Sequence, residues 1–189
     1  LLAIIFYGGF GTNWRAARRV ATPSLLLSSA GVLLTAGLTG AFCHLVLRFP
    51  LAESFLLGSI LSSTDAASVF SILRSKRLSL RFHTSSMLEL ESGSNDPFAY
   101  TLTYLFLSVM AGGVTGGMVV RVVLGQLLFG LLCGAALAAL SVLALRRLPA
   151  GDSNYGPLLM IAIALLSYAL PSIIGGNGYL SAYLVGIVL

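Results

Sequence analysis

The stretch SILSSTDAASVFSIL, residues 59–73, sets four consecutive polar residues, Ser62, Ser63, Thr64 and Asp65, in the middle of an apolar run. Ser, Thr and Asp side chains bond to nearby backbone groups and favour helix caps over helix interiors. The pattern predicts a helix that breaks at this tetrad, with Thr64 or Asp65 capping a second half, AASVFSIL. The positive dipole end of that half-helix would then point into the interior of the span. The competing reading is a continuous helix, with Ser and Thr bonded back to its own carbonyls and Asp65 paired with a neighbour.

The surrounding composition places this run in a membrane. Of 189 residues, 57% are hydrophobic and only 9% charged, and the mean hydropathy is +0.97. A soluble globular chain has about a quarter of its residues charged, so a compact water-soluble domain is excluded. Disorder needs the opposite composition. Cys43 and Cys133 are the only cysteines and sit in apolar runs, which excludes a disulfide scaffold. What remains is an all-α, polytopic membrane bundle of about six or seven crossings at about 20 residues each. Leu1 opens one apolar run and Leu189 closes another, so residues 1–189 read as one membrane domain, part of a longer protein, cut in mid-helix at both ends.

Apolar runs separated by basic or turn-rich stretches divide the chain. A half-span reaches Gly11. Full spans follow over about 24–47 (entered through Pro23), 51–73, 84–110, 118–145 and 155–171, and IGGNG leads to a last partial span. Alternation places the 12–23, 74–83 and 146–156 loops on one side. Those loops hold Arg15, Arg18, Arg19, Arg74, Lys76, Arg77, Arg81, Arg146 and Arg147, nine of the 11 basic residues, against Arg48 and Arg121 opposite. The positive-inside rule makes the basic side cytoplasmic. The net charge of +5 thus reports topology and not a nucleic-acid surface, which would interleave aromatics with the charges. The small residues of GVLLTAG, GLLCGAALAAL and GGNG are expected to allow close helix contact.

Asp65, Glu89, Glu91 and Asp96 fall inside the third and fourth full-length segments, counting the half-span as the first. One such acid at the centre of a transmembrane helix costs about 2.5–3.5 kcal/mol, so all four must face protein or a water-filled cavity. The fourth segment reads LELESGSNDP from Leu88 to Pro97. Pro97 has no N–H, which deprives the Gly93 carbonyl of its helical donor. Ser92 lies one turn before Asp96 on the same face. Asp96 would therefore sit among a carbonyl, a hydroxyl and an amide, hard oxygens suited to a small monovalent cation or its replacement by a proton. A carboxylate that trades a proton for a cation near neutral pH is the working part of a proton-coupled exchanger. The alternative is that Asn95-Asp96-Pro97 merely caps a helix with Pro in its first turn. Glu89, nearer the basic end, is expected to pair with Arg81 or Lys76, and Glu91 to act as an organiser, holding the unwound region or a basic partner from outside this chain by hydrogen bonds. His44 and His83 lack metal-ligand spacing and are assigned no role.

The two motifs, SSTDAASVF at Ser62–Phe70 and LELESGSNDP, together with FYGGFGTNW and GNGYLSAYLVGIVL near the ends, resemble the monovalent cation:proton antiporter-1 family. The likeness is strongest to its bacterial potassium/proton branch of the cell volume regulation type. The resemblance implies that Asp96 carries the proton or cation, with Asn95, Asp65, Thr64 and Ser92 shaping the site and Glu91 organising it. It also implies electroneutral exchange of K⁺ or Na⁺ for H⁺, a homodimer in the cell membrane, no cofactor and no structural metal. The family fold is built from inverted repeats, of which this chain would hold the first, so that transport would need the second.

Two other readings use the same residues. Asp65 and Asp96 could form the shared-proton dyad of an intramembrane aspartyl hydrolase, although no Gly-x-Gly-Asp arrangement is present. A passive cation channel is the third, and it would need no titratable carboxylate.

Overall fold

The computed structural model describes residues 1–12, 14–75, 80, 84–112, 116–147 and 156–189. Among them are eight helices and no strand: α1 (Leu2–Phe10), α2 (Trp14–Leu45), α3 (Leu51–Leu61), α4 (Ala66–Ser75), α5 (Thr84–Met110), α6 (Gly116–Arg147), α7 (Gly156–Ile173) and α8 (Gly178–Val188). Lys76, Arg77, Arg81, His83 and Asp152 lie outside the described residues. Four segments are long and apolar enough to cross a membrane: Ala17–Leu45, Leu51–Leu73, Gly117–Arg147 and Gly156–Ile173.

The predicted spans match these helices closely, with one correction at the start of α2. The 12–23 stretch is not a loop, since α2 begins at Trp14 and carries Pro23 inside it. Inside a helix, proline cannot donate to the carbonyl four residues back and its ring crowds that carbonyl. That residue is Arg19, which is exposed, so the orphaned carbonyl lies in a part of the helix open to solvent. Arg15, Arg18 and Arg19 therefore ride on the first turns of α2.

Residues 15–124 form one compact unit. Within it, α2 turns inward a stripe of small or polar residues at four-residue spacing, Ser24, Ser28, Val32, Ala36 and Gly40, followed by Cys43. Its leucines Leu26, Leu33, Leu34 and Leu38 are exposed. Lipid tails are as apolar as leucine, so close approach of small faces, not burial of large ones, drives such packing. A methyl group added at Gly58 of α3 would lie 2.9 Å from the Gly40 nitrogen, and one at Gly40 would strike the Phe55 ring. Within GVLLTAG it is Ala36 that makes the expected close contact, its carbonyl facing Gly58, whereas Gly31 and Gly37 meet nothing within 4 Å. Phe55 stacks on Phe106 with ring centroids 5.7 Å apart, joining α3 to α5. The Ser24 hydroxyl donates to the Met87 carbonyl at 3.2 Å, joining α2 to α5.

Residues 1–14 and 125–189 form the other unit. Here α6 repeats the same device: Gln126, Gly130, Gly134, Ala138 and Ser141 are buried at near-fourfold spacing. Added methyls at Gly130 and Gly134 would lie 2.8 Å from the Asn177 carbonyl and 3.0 Å from the Ser181 Cα, in keeping with the expectation for GLLCGAALAAL and GGNG. After α7 the chain turns through Gly175, whose φ of +80° suits glycine. Asn177 then caps α8, its Oδ1 accepting the Leu180 N–H at 3.0 Å.

Candidate functional site

The break predicted at residues 62–65 is present and lies wholly within the first unit described. α3 ends at Leu61 and α4 starts at Ala66. Each hydroxyl and carboxylate of the tetrad has a distinct partner. Ser62 stays with its own helix, donating to the Ser59 carbonyl at 2.7 Å. Asp65 caps α4: its Oδ1 accepts the Ser68 N–H at 3.2 Å, and its Oδ2 accepts the Ser68 hydroxyl. Of the two cap candidates, Asp65 takes the role, and Thr64 is left to reach sideways.

Ser63 and Thr64 reach α5. The Ser63 hydroxyl donates to Asp96 Oδ1, and the Asn95 amide donates to the Thr64 hydroxyl. The unwound residues thus grip the consecutive pair Asn95-Asp96 at two points. Ser63 was not singled out by sequence, although it belongs to the quoted tetrad. The backbone at residues 63–65 is non-helical, so no periodicity indicates which hydroxyl turns toward α5.

Asp96 lies near the middle of the 27-residue α5, with Pro97 inside the helix. This corrects the capping alternative: twelve helical residues, 84–95, precede Asp96, so the Asn-Asp-Pro triplet does not start a helix. Glu91 itself lies in continuous helix, since α5 runs through it. The polar half of α5 is buried: Ser92, Gly93, Ser94, Asn95, Asp96 and Pro97 all face protein. That burial explains how a helix with so polar a first half can cross lipid. Ser92 is buried as well, but its hydroxyl donates to Glu91 Oε2 at 3.3 Å and not to Asp96. His44, given no role by sequence, bonds the Phe49 carbonyl through Nδ1 at 2.9 Å in the turn after α2.

The local chemistry is a set of hard oxygens. Asn95 is 1% exposed, and its Oδ1 has no hydrogen-bond partner. A buried unpartnered carbonyl oxygen costs about 1–3 kcal/mol, so it marks a place where a ligand would be welcome. Pro97 cannot donate to the Gly93 carbonyl. With the Asp96 carboxylate and the Ser63 hydroxyl, these oxygens match the preference of alkali ions for carboxylate and carbonyl ligands. Asp65 and Asp96 do not share a hydrogen bond, and each takes its own serine hydroxyl. A proton-sharing dyad of the aspartyl-hydrolase type needs the two carboxylates in direct contact.

The whole chain, residues 1–189, matches the family model described as "Sodium/hydrogen exchanger, transmembrane". It is 36% identical over 187 residues to the K(+)/H(+) antiporter NhaP of Alkalimonas amylolytica, covering 98% of this chain and 32% of the relative. It is 32% identical over 192 residues to the K(+)/H(+) antiporter NhaP2 of Shewanella oneidensis, covering 100% of this chain and 33% of the relative. The chain therefore spans about a third of the length of the curated relatives it matches. Its fold is similar to that of the sodium proton antiporter MjNhaP1 from Methanocaldococcus jannaschii, with a TM-score of 0.76 at 22% identity, covering 100% of this chain and 46% of that one. The all-helical fold, the multi-pass membrane character and the full-length family match agree, and the chain belongs to the sodium/hydrogen exchanger family of transmembrane antiporters.

Proposed function

We propose that the protein to which this chain belongs exchanges K⁺ or Na⁺ for H⁺ across a cell membrane by alternating access. Asp96 is the carrier: it holds either a proton or a partly dehydrated cation, never both. Rocking of one part of the transporter against the other exposes the loaded carboxylate to each side in turn. Competition for one carboxyl group is then enough to couple the two fluxes, and one-for-one exchange is electroneutral. The observation that carries this reading is the burial of Asp96 against unwound backbone inside a membrane helix bundle.

The remaining roles follow from their positions. Asn95 and Thr64 hold the break against α5, Asp65 stabilises the start of α4, and Ser92 with Glu91 supports the polar half of α5. The basic segments around 12–23, 74–83 and 146–156 face the cytoplasm, the protein works as a homodimer in lipid, and it neither uses a cofactor nor binds nucleic acid. Its relatives are transporters, and this reading is not that of an enzyme.

The test is exchange by the full-length protein in proteoliposomes, followed as a pH change driven by a K⁺ or Na⁺ gradient. Exchange should saturate with cation, need more cation as external pH falls because protons compete, and vanish in Asp96→Asn. Undiminished exchange in that variant refutes the reading. Cation flux without proton counterflow would favour a channel.

A further inference from the structure

The Ser63 hydroxyl is one of the hard oxygens of the site, and it is also the side chain that touches the carboxylate on which the proposed exchange depends. It sits in the non-helical link between α3 and α4, half-buried, with its hydroxyl donating to Asp96 Oδ1. The same oxygen lies 3.3 Å from the Thr64 carbonyl. A hydroxyl has one proton and two lone pairs. It can therefore donate to one acceptor at a time, while its lone pairs remain open to an electropositive partner.

We infer that Ser63 is a positioning residue and cation ligand that changes role between the two loads, an inference that rests on Asp96 being the exchanging group. With Asp96 ionised and no cation bound, the hydroxyl donates to Oδ1 and fixes the carboxylate's orientation. When a cation seats on Asp96, the donated bond must yield, because the proton would point at a positive charge. Rotation about the Cβ–Oγ bond turns the proton to the Thr64 carbonyl and presents a lone pair to the ion. No backbone movement is needed, since both acceptors are already within reach of the same oxygen. Ser62 and Ser68 cannot take this part: the Ser62 hydroxyl serves the Ser59 carbonyl, and the Ser68 hydroxyl serves Asp65. The unpartnered Oδ1 of Asn95, on the residue adjacent to Asp96, supplies a further oxygen of the same hard character.

The role predicts a chemical, not a steric, sensitivity. Ser63→Ala removes the oxygen, Ser63→Cys keeps its shape but substitutes a soft sulfur that suits alkali ions poorly, and Ser63→Thr keeps the hydroxyl. In full-length protein reconstituted into liposomes, Ser63→Ala and Ser63→Cys should each raise the KM for K⁺ or Na⁺ about fivefold or more, the loss of roughly one hydrogen-bond equivalent. Maximal exchange rate should stay within about twofold, and Ser63→Thr should restore the parental KM. A general packing defect would lower the rate in all three variants without separating KM from rate. If Asp96→Asn abolishes exchange but Ser63→Cys leaves KM unchanged, the ligand role is overturned while the carrier role of Asp96 stands. If Asp96→Asn retains exchange, it is the carrier role itself that fails.

Discussion

Asn95 and Thr64 are joined side chain to side chain, the Asn95 amide donating to the Thr64 hydroxyl across 31 residues of chain. Each is the immediate neighbour of an aspartate, Asp96 on α5 and Asp65 at the head of α4. The bond therefore fixes the spacing between a continuous helix and an unwound link at the level of the candidate site. Asn95 is buried and Thr64 exposed, so loss of Thr64 leaves a buried amide without this partner, whereas loss of Asn95 leaves an exposed hydroxyl. Thr64→Val should lower the stability of the purified full-length protein by about 1–3 kcal/mol through the stranded amide, and Asn95→Ala should lower it through the lost bond itself, by about 0.5–1.5 kcal/mol. The double variant should lose less than the sum, with a coupling of about 0.5–3 kcal/mol. Thermal unfolding of the four proteins in one detergent measures this. Strict additivity would mean that the two side chains do not depend on one another.

Asp65 has two separable features, a charge and a cap. Its carboxylate accepts the Ser68 N–H at the start of α4, a task that Asn performs about as well as Asp. Asp65→Asn should therefore keep the melting temperature of the parent, whereas Asp65→Ala should cost about 0.5–2 kcal/mol. Exchange assays on the same two proteins then isolate the charge. Loss of exchange in Asp65→Asn at unchanged stability would assign the charge, and not the cap, to transport.

The α2–α3 contact gives a packing test. A methyl at Gly58 would come within 2.9 Å of the Gly40 nitrogen, against backbone that has no rotamer to give way. Gly58→Ala should destabilise by about 1–3 kcal/mol through overpacking. Gly31→Ala, on the same α2 where nothing lies within 4 Å, should be neutral or stabilising by up to about 1 kcal/mol, since Ala is the better helix former. Equal effects at the two positions would mean that propensity, not contact, governs both.

Much of this architecture is legible in the sequence. The apolar runs locate α3 to α7 within a few residues, because lipid requires whole apolar turns. The Ser-Ser-Thr-Asp tetrad announces its own break, because four residues that prefer caps cannot all be satisfied inside a helix. Three things were not legible. Pro23 resembles a helix start and is instead accommodated ten residues inside α2, since the carbonyl it orphans belongs to exposed Arg19. Gly31 and Gly37 look like contact residues and face open space, because helix rotation depends on the neighbours and not on the glycines alone. The pairing of Ser63, and not Ser92, with Asp96 depends on the path of three non-helical residues, for which no period exists.

Pro97 offers the sharpest separation of stability from function. A proline inside a helix costs about 3 kcal/mol, partly through the hydrogen bond it cannot make, yet Pro97 is fully buried in the polar half of α5. The group it leaves without a helical donor is the Gly93 carbonyl, one turn before the site. Pro97→Ala restores an N–H at position 97 and lets that carbonyl close into the helical ladder. The melting temperature of the full-length protein should then hold or rise. If the Gly93 carbonyl is an oxygen offered to the cation, closing it should raise the cation KM about fivefold, the equivalent of about 1 kcal/mol, at little change in maximal rate. A variant that is less stable and has an unaltered KM would instead show that the proline ring fills space between helices, and that the carbonyl it frees plays no part in holding the ion.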